Sequence, residues 1–442
     1  MPLSRWSKAA RRRAVVSAVV VAAAFTIVAA MHLFPIFSMS DIGWYLQLAA
    51  GDTHSVQQPF ASRQLGPAVV RLLAWLLHWP VQRAFVLQGV ISLLVTLTAV
   101  YTLMVRTTAP RWMLLAAAAV PFWPQLFNGL VLPDLWYGAV LSITLLLLAR
   151  QRLIVAACMM FPLMVSREST SLTLVCFLIA AWRPLRWPGR LLALGAGVAG
   201  TLLVQRLTLH NPGKPEHLPQ SIYLFAKVPW NILRNFMGIE PWSNLYPFLC
   251  QVPVWQHSLH LGPVSAVGVC SVSFQQPLAA ISTASTTFGL LPLLLAFLWG
   301  RRRRTAGRSV LLRFCLIYGA ISFLLAPMIG VWFDRLFGYS WPLFMVALPL
   351  LFDEFPRGAF AAKRAVGAVG FLGLHLVACA AGFWETGAPG AVPFVILELL
   401  LYIAGFLLLR WWLAAPGNGA HGPVDDTAGD RFGDPPRMVK SV

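Results

Sequence analysis

Acidic residues are scarce in this sequence. Asp and Glu number 15 in 442 residues, against 34 Lys and Arg. Charged residues of both signs make up only 11% of the chain, and 58% is hydrophobic. A soluble protein of this length could not keep so apolar a surface in water, so a water-soluble globule is excluded. Recognisable soluble-enzyme motifs are missing too. There is no Walker loop, no GxSxG elbow and no HExxH. His54, His257 and His260 are scattered, without metal-ligand spacing. No repeat of fixed period occurs.

What is present is a series of apolar runs separated by short basic clusters, at a mean hydropathy of +0.71. The net charge of +19 therefore reads as the positive-inside pattern rather than as nucleic-acid binding. The expected fold is an all-α polytopic membrane protein. Candidate helices fall at about 14–37, 81–105, 112–128, 135–149, 153–165, 171–182, 191–208, 281–299, 310–330, 336–352, 365–383 and 391–410, about twelve spans in all. Arg5, Lys8, Arg11, Arg12 and Arg13 precede the first run. They mark a retained signal anchor with residues 1–13 cytoplasmic. The membrane domain covers 14–410. The segment 411–442 is expected to be a disordered cytoplasmic tail, rich in Gly, Pro and Asp from Ala414 on. The chain is expected in a bacterial inner (plasma) membrane, with both termini cytoplasmic.

The segment 153–182 has basic clusters at both ends, so a single crossing would violate the charge rule. It is expected to go out and back as two short arms, turning at Ser166-Arg167-Glu168-Ser169-Thr170. The extracytoplasmic face then carries the loops 38–80 and 209–280. The first contains two amphipathic stretches. Trp44, Tyr45 and Leu48 share one face in 41–50; Leu65, Val69, Leu72, Leu73 and Leu76 share one in 65–79. The second loop, rich in Pro, Trp and Phe, is expected to fold against the membrane. Cys250 and Cys270 lie in it; a disulfide and two separate thiols are both compatible with the spacing. Cys158, Cys176, Cys315 and Cys379 lie inside apolar runs and read as packing residues.

Charged side chains at membrane edges are costly and tend to line a site. Asp41, Arg63, Asp134, Arg167, Glu168 and Arg335 come from different parts of the chain but from one side. Asp41 is the candidate catalytic base; the other five are candidate substrate-binding residues. Each has a structural alternative. Asp41 and Asp134 could cap the helices they open. Arg167 and Glu168 could close the hairpin as a pair. Arg335 could pair with Asp334, and Arg63 could reach lipid phosphates.

The stretch Ser40-Asp41-Ile42-Gly43-Trp44-Tyr45-Leu46, followed by Gln58-Pro59-Phe60-Ala61-Ser62-Arg63, resembles the first-loop pattern of the GT-C glycosyltransferase superfamily. Phe333-Asp334-Arg335-Leu336-Phe337-Gly338-Tyr339 with Pro342 is similar to the Arg-Tyr-Pro arrangement before a late helix in several members. At the level of architecture the likeness covers about the first 350 residues. The resemblance implies an enzyme that moves a sugar from an extracytoplasmic polyprenyl-phosphate donor to a lipid, glycan or protein acceptor. It implies that Asp41 takes the acceptor's proton, and Arg63, Arg167 and Arg335 would suit the leaving phosphate. No second acidic residue adjoins Asp41, and no cofactor is indicated; a divalent metal is compatible with the chemistry. A lipid-linked glycan transporter or flippase, or a surface polysaccharide polymerase or ligase, are the alternatives. A transporter should place charges at mid-membrane depth and show related halves; neither is evident.

Overall fold

A computed structural model describes residues 12–20, 40–52, 60–105, 133–167, 170–210, 220–244, 252–261, 264–274, 309–329 and 336–352, with isolated positions elsewhere. Helix makes up 79% of the described residues, so the chain is mostly helical. In order, the helices are α1 (Ser40–Ala50), α2 (Leu65–Leu77), α3 (Val81–Met104), α4 (Pro133–Ala149), α5 (Leu153–Cys158), α6 (Met160–Ser166), α7 (Thr170–Ala181), α8 (Trp187–His210), α9 (Gln220–Met237), α10 (Val310–Ile329) and α11 (Ser340–Phe352). Three of them contain stretches long and apolar enough to cross a membrane: Val81–Met104, Trp187–Leu207 and Val310–Met328. The expected spans at 112–128 and 365–383, and most of 14–37, 281–299 and 391–410, lie outside the described residues. So does the tail 411–442.

The all-α expectation is corrected by a small antiparallel sheet. Strands β1 (Ile239–Ser243), β2 (Trp255–Leu261) and β3 (Val264–Val272) pair in the order β1-β3-β2. The sheet and α9 occupy the expected loop 209–280, and a Cys250–Cys270 disulfide staples it. Gly238 makes the corner between α9 and β1. Its φ is +69°, and a Cβ there would lie 2.4 Å from the Ser273 carbonyl oxygen. Gly238→Ala should therefore cost about 1–3 kcal/mol in left-handed strain, with the clash in addition. The sheet should loosen, and alkylation of Cys250 and Cys270 under mild reduction should speed up relative to the natural chain. Unchanged alkylation would show that the corner does not need glycine.

The turn expected at 166–170 coincides with a break in the helix. Helix stops at Ser166, and Arg167 is extended (φ −162°, ψ 140°). Helix resumes at Thr170, whose hydroxyl donates to the Leu163 carbonyl at 2.8 Å. One continuous helix is thereby excluded. Both arms, Leu153–Ser166 and Thr170–Ala181, are shorter than the ~20 residues of a full span. Gly200 on α8 allows close approach to this hairpin; a Cβ there would meet the Met164 Cβ at 2.7 Å.

The main core joins α3, α4, α7, α10 and α11 around Tyr137, Phe177, Phe314, Tyr318 and Trp341. Phe288 is its aromatic hub, with its ring 5.3–5.7 Å from those of Phe323, Phe337 and Phe344. A second, smaller core gathers Ile42, Tyr45, Leu48, Val70 and Phe85. It holds the two amphipathic stretches together. α1 ends in a left-handed turn at Gly51 (φ +100°), with Asp52 N–H donating to the Gln47 carbonyl at 3.0 Å. This closure satisfies carbonyls that a helix end leaves open. Arg71 of α2 adds donors to the Leu48 and Ala49 carbonyls at 2.5 and 3.2 Å. The packed side of α2 is Gly66, Pro67 and Val70. Its exposed side, with Leu72, Trp75 and Leu76, is apolar as well, so only part of the expected face turns inward.

Candidate functional site

Three of the six nominated residues meet in one buried cluster. Asp134 lies in the first turn of α4. Arg167 sits at the break between α6 and α7, and its Nη1 pairs with the Asp134 Oδ1. Both side chains are at most 10% exposed. Tyr339, just before α11, donates its hydroxyl to the same Oδ1. The Arg167 guanidinium also lies over the Tyr339 ring, 4.8 Å from its centre. One carboxylate thus receives a cation and a phenol, and the phenol's ring face receives that cation as well.

Arg63 reaches the cluster from the other core. A short 3-10 turn, Phe60–Ser62, places it next to α1. Its Nη1 donates to the Tyr45 hydroxyl oxygen at 2.9 Å. Phe60 packs edge-on against Tyr45, with ring centres 5.7 Å apart. Tyr45 is fully buried, and burial raises its pKa above the usual phenol value. The charges felt at its hydroxyl are those of Arg63, Asp134 and Arg167: the two cations pull the pKa down and the carboxylate pushes it up. Tyr45 is therefore held by Arg63 within the α1 core and lies within the field of the Asp134–Arg167 pair. It keeps its proton and accepts from Arg63.

Asp41 lies in the first turn of α1, partly buried, one turn before Tyr45. Residues four apart on a helix share a face, so Asp41 is presented toward the side of α1 that carries the Tyr45–Arg63 contact. Its place in the first turn also favours the helix dipole, so the capping alternative stays open beside the catalytic one. Glu168 and Arg335 lie outside the described residues. The pairing considered for Arg167 with Glu168 lies outside the described residues; among these Arg167 pairs with Asp134, 33 positions earlier in sequence.

Below Asp134 the polar contacts continue into the bundle. Tyr137, one turn along α4, hydrogen-bonds with Thr173 at 2.6 Å and Tyr318 at 2.8 Å. Its ring packs edge-on against Tyr339 at 5.1 Å. These hydroxyls satisfy one another, as buried polar groups must. Tyr45, Tyr137 and Tyr339 were not nominated from the sequence. The local signals were the spacing of Tyr45 four residues after Asp41 and the place of Tyr339 in the Arg-Tyr-Pro arrangement.

A second polar cluster lies where α9 meets the end of α10. Asn231 and Asn235 donate side-chain amides to the Met328 and Pro327 carbonyls at 3.1 and 2.6 Å, capping the last turn of α10. Arg234 Nε stands 3.9 Å from Glu240 Oε1 on β1, and Ser271 donates to the other Glu240 oxygen at 2.6 Å. Burial lowers the Arg234 pKa, and Glu240 offsets part of that. This arrangement fixes the sheet to the helical body. Among the described residues no group of three His, Cys, Asp or Glu side chains is arranged to hold a metal ion.

No protein-family model matches this chain, and neither a curated protein nor a solved structure is significantly similar to it.

Proposed function

We propose that this chain is a membrane glycosyltransferase that moves a sugar from a polyprenyl-phosphate donor to a lipid, glycan or protein acceptor. One observation carries the reading. Arg63 holds the Tyr45 hydroxyl, one helical turn from Asp41, and the buried Asp134–Arg167 pair, from elements far apart in sequence, lies near enough for its charges to act on that hydroxyl. A buried group of ionisable side chains assembled from separate elements is costly, and function is the common reason such a group persists. In this reading the chain has about twelve spans and lies in a bacterial plasma membrane. Both termini are cytoplasmic, and α1, α2 and 209–280 face outward. The Cys250–Cys270 disulfide suits that oxidising side.

The chemistry follows from the residue types. The acceptor hydroxyl oxygen attacks the anomeric carbon, and its proton passes to the Asp41 carboxylate. The bond from the anomeric carbon to the phosphate oxygen breaks. The electron pair leaves with polyprenyl phosphate, whose negative charge Arg63 and Arg167 can attract. Asp134 and Tyr339 hold Arg167 in place for that role.

The test is reconstitution in liposomes with a panel of radiolabelled polyprenyl-phosphate sugars and a lipid extract as acceptor source, with and without divalent metal. Release of polyprenyl phosphate together with a new labelled glycoside is the expected result. Movement of intact lipid-linked sugar across the bilayer without cleavage would favour the transporter alternative instead. Neither cleavage nor movement across the whole panel would remove the proposal.

A further inference from the structure

The sheet in 239–272 carries an apolar surface that no described part of the chain covers. Val252 and Val254 are 81% and 86% exposed, and Trp255 beside them is 58% exposed. Val272 and Phe274 are 68% and 72% exposed. Phe236 and Met237, at the end of α9, are exposed as well.

These residues lie at one end of the sheet. Trp255 pairs with Val269, and Val254 N–H donates to the Val269 carbonyl at 2.9 Å. Ile239 pairs with Val272, and Ser273 N–H donates to the Gly238 carbonyl at 2.7 Å. So the start of β2, the end of β3 and the end of α9 come together. The opposite end holds the turn between Leu261 and Val264, about 20 Å away at ~3.3 Å per residue along β2. The disulfide shapes the surface. Cys250 and Cys270 each stand two and four residues before an exposed apolar pair, Val252 with Val254 and Val272 with Phe274. The staple therefore fixes the start of the 250–254 segment to the end of β3.

Its position argues for one occupant. Asn235, next to Phe236, donates to the Pro327 carbonyl at the end of α10, and Val310–Met328 is one of the stretches able to cross a membrane. The apolar end of the sheet is thus tied to the end of a helix long and apolar enough to cross a membrane. The segments 252–255 and 272–274 contain no charged residue. Aromatic and branched apolar side chains without charge suit the acyl boundary of a leaflet. We infer that this end of the sheet is a membrane-docking surface, with Val252, Val254, Trp255, Val272 and Phe274 inserted in the interface of the adjoining leaflet. The inference rests on membrane embedding alone and holds whatever reaction the chain performs.

Photo-crosslinking on the unaltered chain tests it. The protein is placed in nanodiscs of phosphatidylethanolamine and phosphatidylglycerol that include a phospholipid with a diazirine near the top of one acyl chain. Adducts are mapped by mass spectrometry. Peptides 252–255 and 272–274 should carry about tenfold or more the adducts of 258–266, since an interfacial element sinks only about 5–10 Å and the far turn stays in water. Equal or absent labelling of the two regions would overturn the proposal. Cross-links from these residues to a second copy, in place of lipid adducts, would also overturn it and assign the surface to self-association.

Discussion

Asp41→Asn is expected to insert and purify like the natural chain yet lose about a hundredfold or more of its transfer rate, the usual scale for a general base. The substitution is chosen for what it keeps. Asn has the same size and is also a good residue at a helix start, so α1 should still form and still present Tyr45 to Arg63. What disappears is the negative charge and the ability to take a proton. A purely capping Asp41 would leave activity near that of the natural chain. The practical readout is the glycan of a deletion strain complemented with the variant, at matched membrane levels. Normal glycan from Asp41→Asn would end the catalytic assignment. The proposed function would then rest on the Arg63, Asp134 and Arg167 cluster by itself.

Arg167→Met should cost about 3–5 kcal/mol of stability, because it leaves a buried carboxylate without a paired cation. Asp134 is 10% exposed on its side chain, so little water reaches it to compensate. The combined variant Arg167→Met with Asp134→Asn removes both charges and keeps an acceptor for the Tyr339 hydroxyl. Most of the lost stability should return, measured as the thermal midpoint in detergent. Activity separates the two readings of the pair. If Arg167 only braces the junction of α4, α6 and α11, the combined variant should be active again. If Arg167 attracts the leaving phosphate, the combined variant should be stable and inactive. The difference between single and double changes is the quantity that matters, since neighbouring residues do not act additively.

The helices were legible because helix formation is local. Hydrogen bonds close within four residues, and apolar runs report span length directly. The expected 81–105, 135–149, 171–182 and 310–330 agree with Val81–Met104, Pro133–Ala149, Thr170–Ala181 and Val310–Ile329 to within two residues at each end. The amphipathic stretches at 41–50 and 65–79 appear as α1 and α2, and the charge rule led to the break at Arg167. The sheet was not legible. Its strands hold Pro241, Gly268, His257 and His260 among short apolar pieces, and β1 and β3 are separated by 20 residues of chain. Strand pairing of that kind depends on partners, not on local pattern.

The candidate site divides the same way. Composition and apolar patterning alone pointed to a mostly helical chain with helices long and apolar enough to cross a membrane, and to Asp41 and Asp134 at the starts of helices. Which of them meet was decided by tertiary packing. Asp134 chose Arg167 over a capping role alone, because the end of α6 and the start of α4 pack together and a buried carboxylate needs a cation near it. Tyr45 and Tyr339 entered the cluster for a similar reason. Both stand in the short motifs quoted from the sequence, but each becomes a hydrogen-bonding partner only where folding brings a buried charge to its hydroxyl.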